Sequence, residues 1–174
     1  EETPGDTIYH IDRVTEEVLV PLFDEHLASE TTLLLIGEGL QEGGIPLPDG
    51  TAAEDAAYRV IVDPIDGTRG LMYDKRSAWA LAAAAPNRGT ETSLQDVVAA
   101  VQTEIPTSKV YRCDTVWAAA GGGCGASAWF RFDDTSRPLH LVPSRSDTIE
   151  HGFAMISRFF PGAKEVLARV EEDM

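Results

Sequence analysis

Asp63-Pro64-Ile65-Asp66-Gly67-Thr68 is the stretch whose reading decides the fold. A β-branched run, Val60-Ile61-Val62, precedes it, and Arg69-Gly70-Leu71-Met72-Tyr73 follows. The pattern predicts a strand, a sharp turn and a short helix. Pro64 fixes φ and has no N–H for a sheet ladder, so the strand is expected to stop at Asp63. Gly67 permits a tight turn and a close backbone approach. Such a turn sets two carboxylates beside free N–H groups at a helix start. Carboxylate oxygens suit a hard cation such as Mg²⁺, and N–H groups at a helix N-terminus suit phosphate. Together they point to phosphoryl chemistry.

Upstream of this turn, residues 31–37 read as a buried strand, with Leu33-Leu34-Leu35-Ile36 apolar on both faces. The strand opens onto Gly37-Glu38-Gly39, where Glu38 is a plausible metal ligand at a strand mouth. Residues 39–57, rich in Gly, Pro, Asp and Glu, read as a mobile loop. Further upstream, residues 7–28 read as a helix. Ile11, Val14, Val18, Leu19, Leu22 and Phe23 form its apolar face, and Pro21 is expected to kink or end it. Asp12 lies near the edge of that face.

Downstream, residues 77–85 and 95–105 read as strands, followed by short strands at 109–113 and 116–120 around a turn at Asp114. Strands at 126–132 and 139–142 complete an antiparallel meander. Helices are expected at 148–160 and 163–170, separated by Pro161-Gly162. The whole reads as one domain, residues 1–174, of the α+β class: a layered sandwich with a mostly antiparallel sheet and packed helices.

Composition limits the partners. The formal net charge is −15, from 29 acidic and 14 basic residues. That surface repels nucleic-acid polymers and anionic membranes, and it repels a phosphate substrate unless cations reverse the local sign. No apolar run is long enough to span a membrane. Cys113 and Cys124 make neither a disulfide framework nor a zinc site, and the expected compartment is the cytoplasm. The four histidines show no metal-ligand spacing. Gly121-Gly122-Gly123-Cys124-Gly125 lacks the Gly-Lys-Ser/Thr ending of a nucleotide phosphate loop and reads as a tight strand connection. Gly125-Ala126-Ser127-Ala128-Trp129 lacks the last glycine of a nucleophile elbow.

Haloacid-dehalogenase-type phosphatases carry two acids separated by one residue after a strand. Here Asp63 and Asp66 are three apart with a proline between, so the second carboxylate points differently. The closer likeness joins three pieces in order: Asp12-x-x-x-Glu16, Gly37-Glu38 and Asp63-Pro64-Ile65-Asp66-Gly67-Thr68. This combination resembles the inositol monophosphatase family, within the Mg²⁺-dependent, lithium-sensitive sugar and nucleotide phosphatases that share a fructose-bisphosphatase-like fold. The resemblance implies that Glu38, Asp63 and the Ile65 carbonyl ligate one Mg²⁺. Asp63 then bridges to a second, which Asp66 helps to hold. Thr68, with Glu38, would orient the attacking water, and Asp12 would support Thr68. The Gly67 and Thr68 amides would bind phosphate oxygens.

Two departures accompany the likeness. Gly39 stands where the family usually has a second Glu, and Arg69-Gly70 follows the motif where Asn-Phe is common. Trp79, Trp117 and Trp129 are not followed by Asp, so the family's C-terminal Trp-Asp-type ligand motif has no counterpart. The expectation is an N-terminal portion, its C-terminal domain absent, that hydrolyses a small phosphorylated substrate. A complementing C-terminal domain or a homodimer partner would complete it. A non-catalytic metal- and phosphate-binding fragment is the alternative from a different class.

Overall fold

The computed structural model describes residues 2–3, 6–7, 10–37, 40–150, 152 and 163–173, with the side chains of the first helix described from Glu17 onward. Contacts divide the chain into two compact units. One is Tyr9–Leu141, and the other combines Glu1–Ile8 with Val142–Met174. In the second unit, β1 (Glu2–Thr3) pairs antiparallel with β2 (Asp6–Thr7).

The larger unit is built on an eight-stranded sheet that follows helix α1 (His10–His26). Its strands are β3 (Leu33–Gly37), β4 (Ile45–Leu47), β5 (Tyr58–Asp66), β6 (Ala78–Pro86), β7 (Ala99–Ile105), β8 (Arg112–Ala119), β9 (Gly123–Phe130) and β10 (Thr135–Pro138). The order across the sheet is β10-β9-β8-β7-β6-β5-β3-β4. Every neighbouring pair is antiparallel except β3 and β5, which run parallel with Leu33 opposite Tyr58 and Gly37 opposite Val62. Between β5 and β6 lies the five-residue helix α2 (Thr68–Met72). In the smaller unit, α3 (Lys164–Glu172) matches the expected last helix within two residues.

The apolar run of β3 forms the centre of the core: Leu33, Leu34 and Leu35 are at most 2 % exposed. Burying each such side chain contributes about 1.5–3 kcal/mol. Leu33 and Leu35 cluster with Val60 and Val62 of β5, and Leu19, Val20 and Phe23 of α1 pack against that cluster. This corrects the apolar face read from the sequence, because Val18 is 62 % and Leu22 47 % exposed. The helix also runs through Pro21 to His26 rather than ending there.

Residues 39–57 are not a bare loop. Ile45–Leu47 adds β4 to the outer edge of β3. At Gly44 a Cβ would lie 2.8 Å from the Leu35 carbonyl oxygen, so glycine lets this segment press onto β3. Asn87 pins the segment's far end, donating to the carbonyls of Ala53 and Ala56 at 2.9 and 2.8 Å. Its own side-chain oxygen accepts from Arg59 Nε at 2.9 Å.

Other boundaries moved for identifiable reasons. The strand expected from 95 begins at Ala99, because the reciprocal Ser93–Asp96 capping box holds 94–96 in a 3₁₀ turn. The two strands expected around Asp114 are one strand, β8. There Arg112 and Asp114 pair side by side at 2.6 and 2.7 Å, and Asp114 N–H donates to Glu104 on β7. The turn comes instead at Ala120-Gly121-Gly122, which joins β8 to β9 as expected of the glycine run. β9 stops at Phe130 and β10 occupies 135–138, not 139–142. Asp133 accepts from both the amide and hydroxyl of Thr135, and this closes the turn early. Residues 148–150 are not helical; 151 and 153–160, the rest of that expected helix apart from Gly152, lie outside the described residues.

Candidate metal and phosphate site

The decisive stretch forms a bulge. Asp63 pairs with Leu81 and Asp66 with Trp79, so β5 carries one residue more than β6 over the same span. This corrects the expected strand end: β5 runs to Asp66, and Pro64 sits in the bulge, where its missing N–H leaves no ladder position empty. The three-residue spacing of the two acids is the bulge itself.

Local hydrogen bonds hold the turn. Asp63 Oδ1 accepts from the Ile65 amide at 3.1 Å, spanning Pro64 in the manner of an Asx turn. The Thr68 hydroxyl donates to the Ile65 carbonyl at 2.7 Å. Gly67 precedes α2 with φ +95°, a left-handed conformation. A Cβ there would lie 3.6 Å from Ala78 Cα, an ordinary contact, so the dihedral rather than space requires glycine.

Among the expected site residues, Asp63, Ile65, Asp66, Gly67 and Thr68 thus share one turn. Asp63 is half-buried, Ile65 is buried and Asp66 is exposed. Glu38 lies outside the described residues; Gly37 before it stands opposite Val62, which precedes Asp63. Asp12 falls within α1, and its side chain is outside the described set. Asp63 also lines an open apolar concavity of about 400 Å³ with Ile61, Leu81, Gln102 and Val116.

The oxygen donors of Asp63, Asp66 and the Ile65 carbonyl fit a hard cation. Among the described residues no group of three or more His, Cys, Asp or Glu side chains gathers to hold a metal.

Beside the turn the sequence reading missed a second feature. Asp74 accepts from the amide of Ser108 at 2.8 Å and from its hydroxyl at 2.7 Å, tying the α2–β6 connection to the β7–β8 loop. The Ser108 hydroxyl chiefly, with its amide and nearby Lys109 and Lys75, holds the Asp74 carboxyl below its ordinary value. Arg76 lies across α2: a Cβ at Gly70 would come 2.7 Å from its Cγ and 3.0 Å from its Nε. The glycine at 70 followed six residues later by arginine was the only hint of this contact in the sequence.

No protein-family model matches the chain, and no curated protein matches it. Solved structures do. The fructose-1,6-bisphosphatase of Leishmania major in holo form superposes with a TM-score of 0.55 at 17 % identity, covering 80 % of this chain and 43 % of that one. The apo form gives 0.51 at 16 % identity, covering 75 % and 42 %. The T-state structure gives 0.53 at 15 %, covering 76 % and 41 %. The fold is therefore the α+β architecture of fructose-1,6-bisphosphatase, and the chain spans less than half the length of that enzyme. No helix among the described residues is long and apolar enough to cross a membrane.

Proposed function

We propose that this chain carries the metal- and phosphate-binding part of a Mg²⁺-dependent phosphatase for small phosphate monoesters. The observation that carries the reading is the bulged turn in which Asp63 and Thr68 both bond to Ile65. It supports a role in which Asp63, Asp66 and the Ile65 carbonyl hold the cation, joined by Glu38, the next residue in the sequence after Gly37, which ends the strand paired with β5. Gly67 and Thr68 offer their amides to phosphate oxygens. Thr68, whose proton is committed to Ile65, keeps lone pairs to accept from an attacking water. Asp12 supports Thr68 in this reading. Asp63, Asp66, Glu38 and the Ile65 carbonyl would hold the cation, and a Mg²⁺ bound there would supply the activation of water and the neutralisation of charge on a leaving oxygen.

An inositol monophosphate is the substrate the sequence resemblance favours, and the fold likeness adds sugar phosphates. A second reading, a binding fragment without turnover, is favoured by the share of the Leishmania enzyme that the chain covers, 43 %. A further domain or a partner copy would then supply the remaining ligands. The haloacid-dehalogenase-type alternative is separated by trapping an aspartyl-phosphate, which the metal-activated-water reading does not form. Steady-state hydrolysis of inositol phosphate and a hexose bisphosphate, with and without Mg²⁺ and beside Asp63→Asn, tests the proposal. Metal-dependent turnover lost in the variant supports it. Metal and phosphate binding without turnover selects the fragment reading, and no response to either ligand overturns both.

A further inference from the structure

Helix α2 is too short to hold itself. It has five residues, Thr68–Met72, and none of them is buried. Helices shorter than about 12 residues are marginal in water without packing. The position of Thr68, its first residue, therefore depends on what fixes the two ends. At the first end Gly67 lies against β6. A Cβ there would come 3.6 Å from the Cα of Ala78, which is 0 % exposed.

The last end closes in a Schellman motif. The Asp74 amide donates to the Leu71 carbonyl at 2.9 Å, and the Lys75 amide to the Gly70 carbonyl at 2.9 Å. Asp74 takes the left-handed position of that motif, with φ +52°. Glycine, and sometimes asparagine, is the usual residue there. An acid is unfavourable on two counts. Its Cβ strains the left-handed backbone, and its negative charge sits at the carbonyl end of a helix.

The compensating bonds come from another loop. Ser108 donates to Asp74 from its amide at 2.8 Å and from its hydroxyl at 2.7 Å. Ser108 lies three residues beyond Ile105, which pairs with Ala78. A closed path results. It runs from Gly67 along α2 to Asp74, across to Ser108, back to Ile105, and across to Ala78 against Gly67. A strained residue held by a bond from a distant segment points to function. The helix held in this way begins with Thr68, whose hydroxyl donates to the Ile65 carbonyl.

We infer that Asp74 and Ser108 are positioning residues for the reaction: their tie holds α2 and so sets the Thr68 hydroxyl between the Ile65 carbonyl and the attacking water. The inference rests on the phosphatase reading, in which Thr68 orients that water. Both residues act through Thr68 rather than on the substrate, so the chemical step is affected more than substrate affinity.

The test compares the unaltered chain with Asp74→Gly, Ser108→Ala, Ser108→Thr and the double variant Asp74→Gly/Ser108→Ala. Mg²⁺-dependent hydrolysis of inositol phosphate and urea unfolding are measured for each. Misplacing a reacting group by about 1 Å can cost about 10²-fold, so kcat is expected to fall about tenfold or more in Asp74→Gly and in Ser108→Ala. KM and the Mg²⁺ requirement stay within about twofold. The double variant is no slower than either single one, because the same tie is lost in all three. Ser108→Thr, which keeps the hydroxyl, keeps most of the rate. Glycine relieves the left-handed strain at position 74. Asp74→Gly therefore loses less of its urea midpoint than Ser108→Ala while losing as much rate. A kcat that follows the urea midpoint across the variants, or one unchanged in both single variants, overturns the inference alone. No Mg²⁺-dependent turnover by the unaltered chain overturns the phosphatase reading, and the inference falls with it.

Discussion

The Thr68 hydroxyl donates to the Ile65 carbonyl oxygen at 2.7 Å, so one hydrogen bond joins the expected nucleophile-orienting side chain to an expected metal-ligating oxygen. Replacing Thr68 with Val keeps the shape and removes this bond. Leaving the carbonyl without its partner costs about 1–3 kcal/mol of stability. Loss of the water-orienting lone pairs lowers kcat by at least about 10²-fold. Thr68→Ser restores most of both. Denaturant unfolding and steady-state hydrolysis of the three proteins separate the two effects. A Val variant with unaltered kcat removes Thr68 from the reaction.

Metal binding should stabilise the fold through Asp63. A ligand present at 100 times its Kd adds about 2.7 kcal/mol by linkage. The thermal midpoint is therefore expected to rise with Mg²⁺ in the unaltered chain and to stay fixed in Asp63→Asn. Ca²⁺ and Na⁺ at matched ionic strength serve as controls. An identical rise in both proteins would place the metal elsewhere.

At Gly67 the cost is conformational. The backbone has φ +95° with room for a methyl group, so Gly67→Ala is expected to lose about 1–2 kcal/mol from the left-handed conformation alone. Gly67→Asn should lose less, because Asn visits that region more readily. Equal losses in urea titrations of the two variants would point to steric crowding instead.

The Asp74–Ser108 tie predicts a pH effect. The folded-state pKa of Asp74 is depressed, chiefly by the Ser108 hydroxyl. The stability it contributes is present above the unfolded pKa of about 3.9 and is lost as pH falls through the lower folded value. Ser108→Ala should move the Asp74 carboxyl toward its ordinary value and flatten the acid limb of the stability profile. Carboxyl chemical shifts followed by NMR between about pH 2 and pH 6 measure this directly. An unmoved Asp74 in the variant would show that other groups set its pKa.

Much of the fold was legible where a signal was local. The Leu33–Ile36 run and the alanine-rich strand closing at Pro86 each carried their own boundary, whereas β9 starts at Gly123, inside the glycine run read as a connection. Features that depend on a neighbouring strand were not legible. Pro64 looked like a stop because its tolerance in a bulge is a property of the β5–β6 pairing. Asp114 looked like a turn because the partner of its amide, Glu104, becomes visible only when β7 and β8 lie side by side. Within the motif from Asp63 to Thr68 the sharp turn was readable, because the bonds of Asp63 and Thr68 to Ile65 span at most three residues. The Asp74–Ser108 tie joins positions 34 apart, and no periodicity announces it.

The parallel pairing of β3 with β5 has a consequence for the order of assembly. Leu33 meets Tyr58 across 25 residues, with β4 inserted between, whereas β8 and β9 meet through a three-residue turn. Loop closure and contact order make the first pairing the slower one. The hairpins from β7 to β9 should therefore gain protection first, and the two strands that lead into Asp63 and Glu38 should dock on them afterwards. Pulse-labelled hydrogen exchange during refolding would show amides of β8 protected before those of β3. A chain arrested between those events would hold most of its sheet but not the strand pair that carries the proposed metal site.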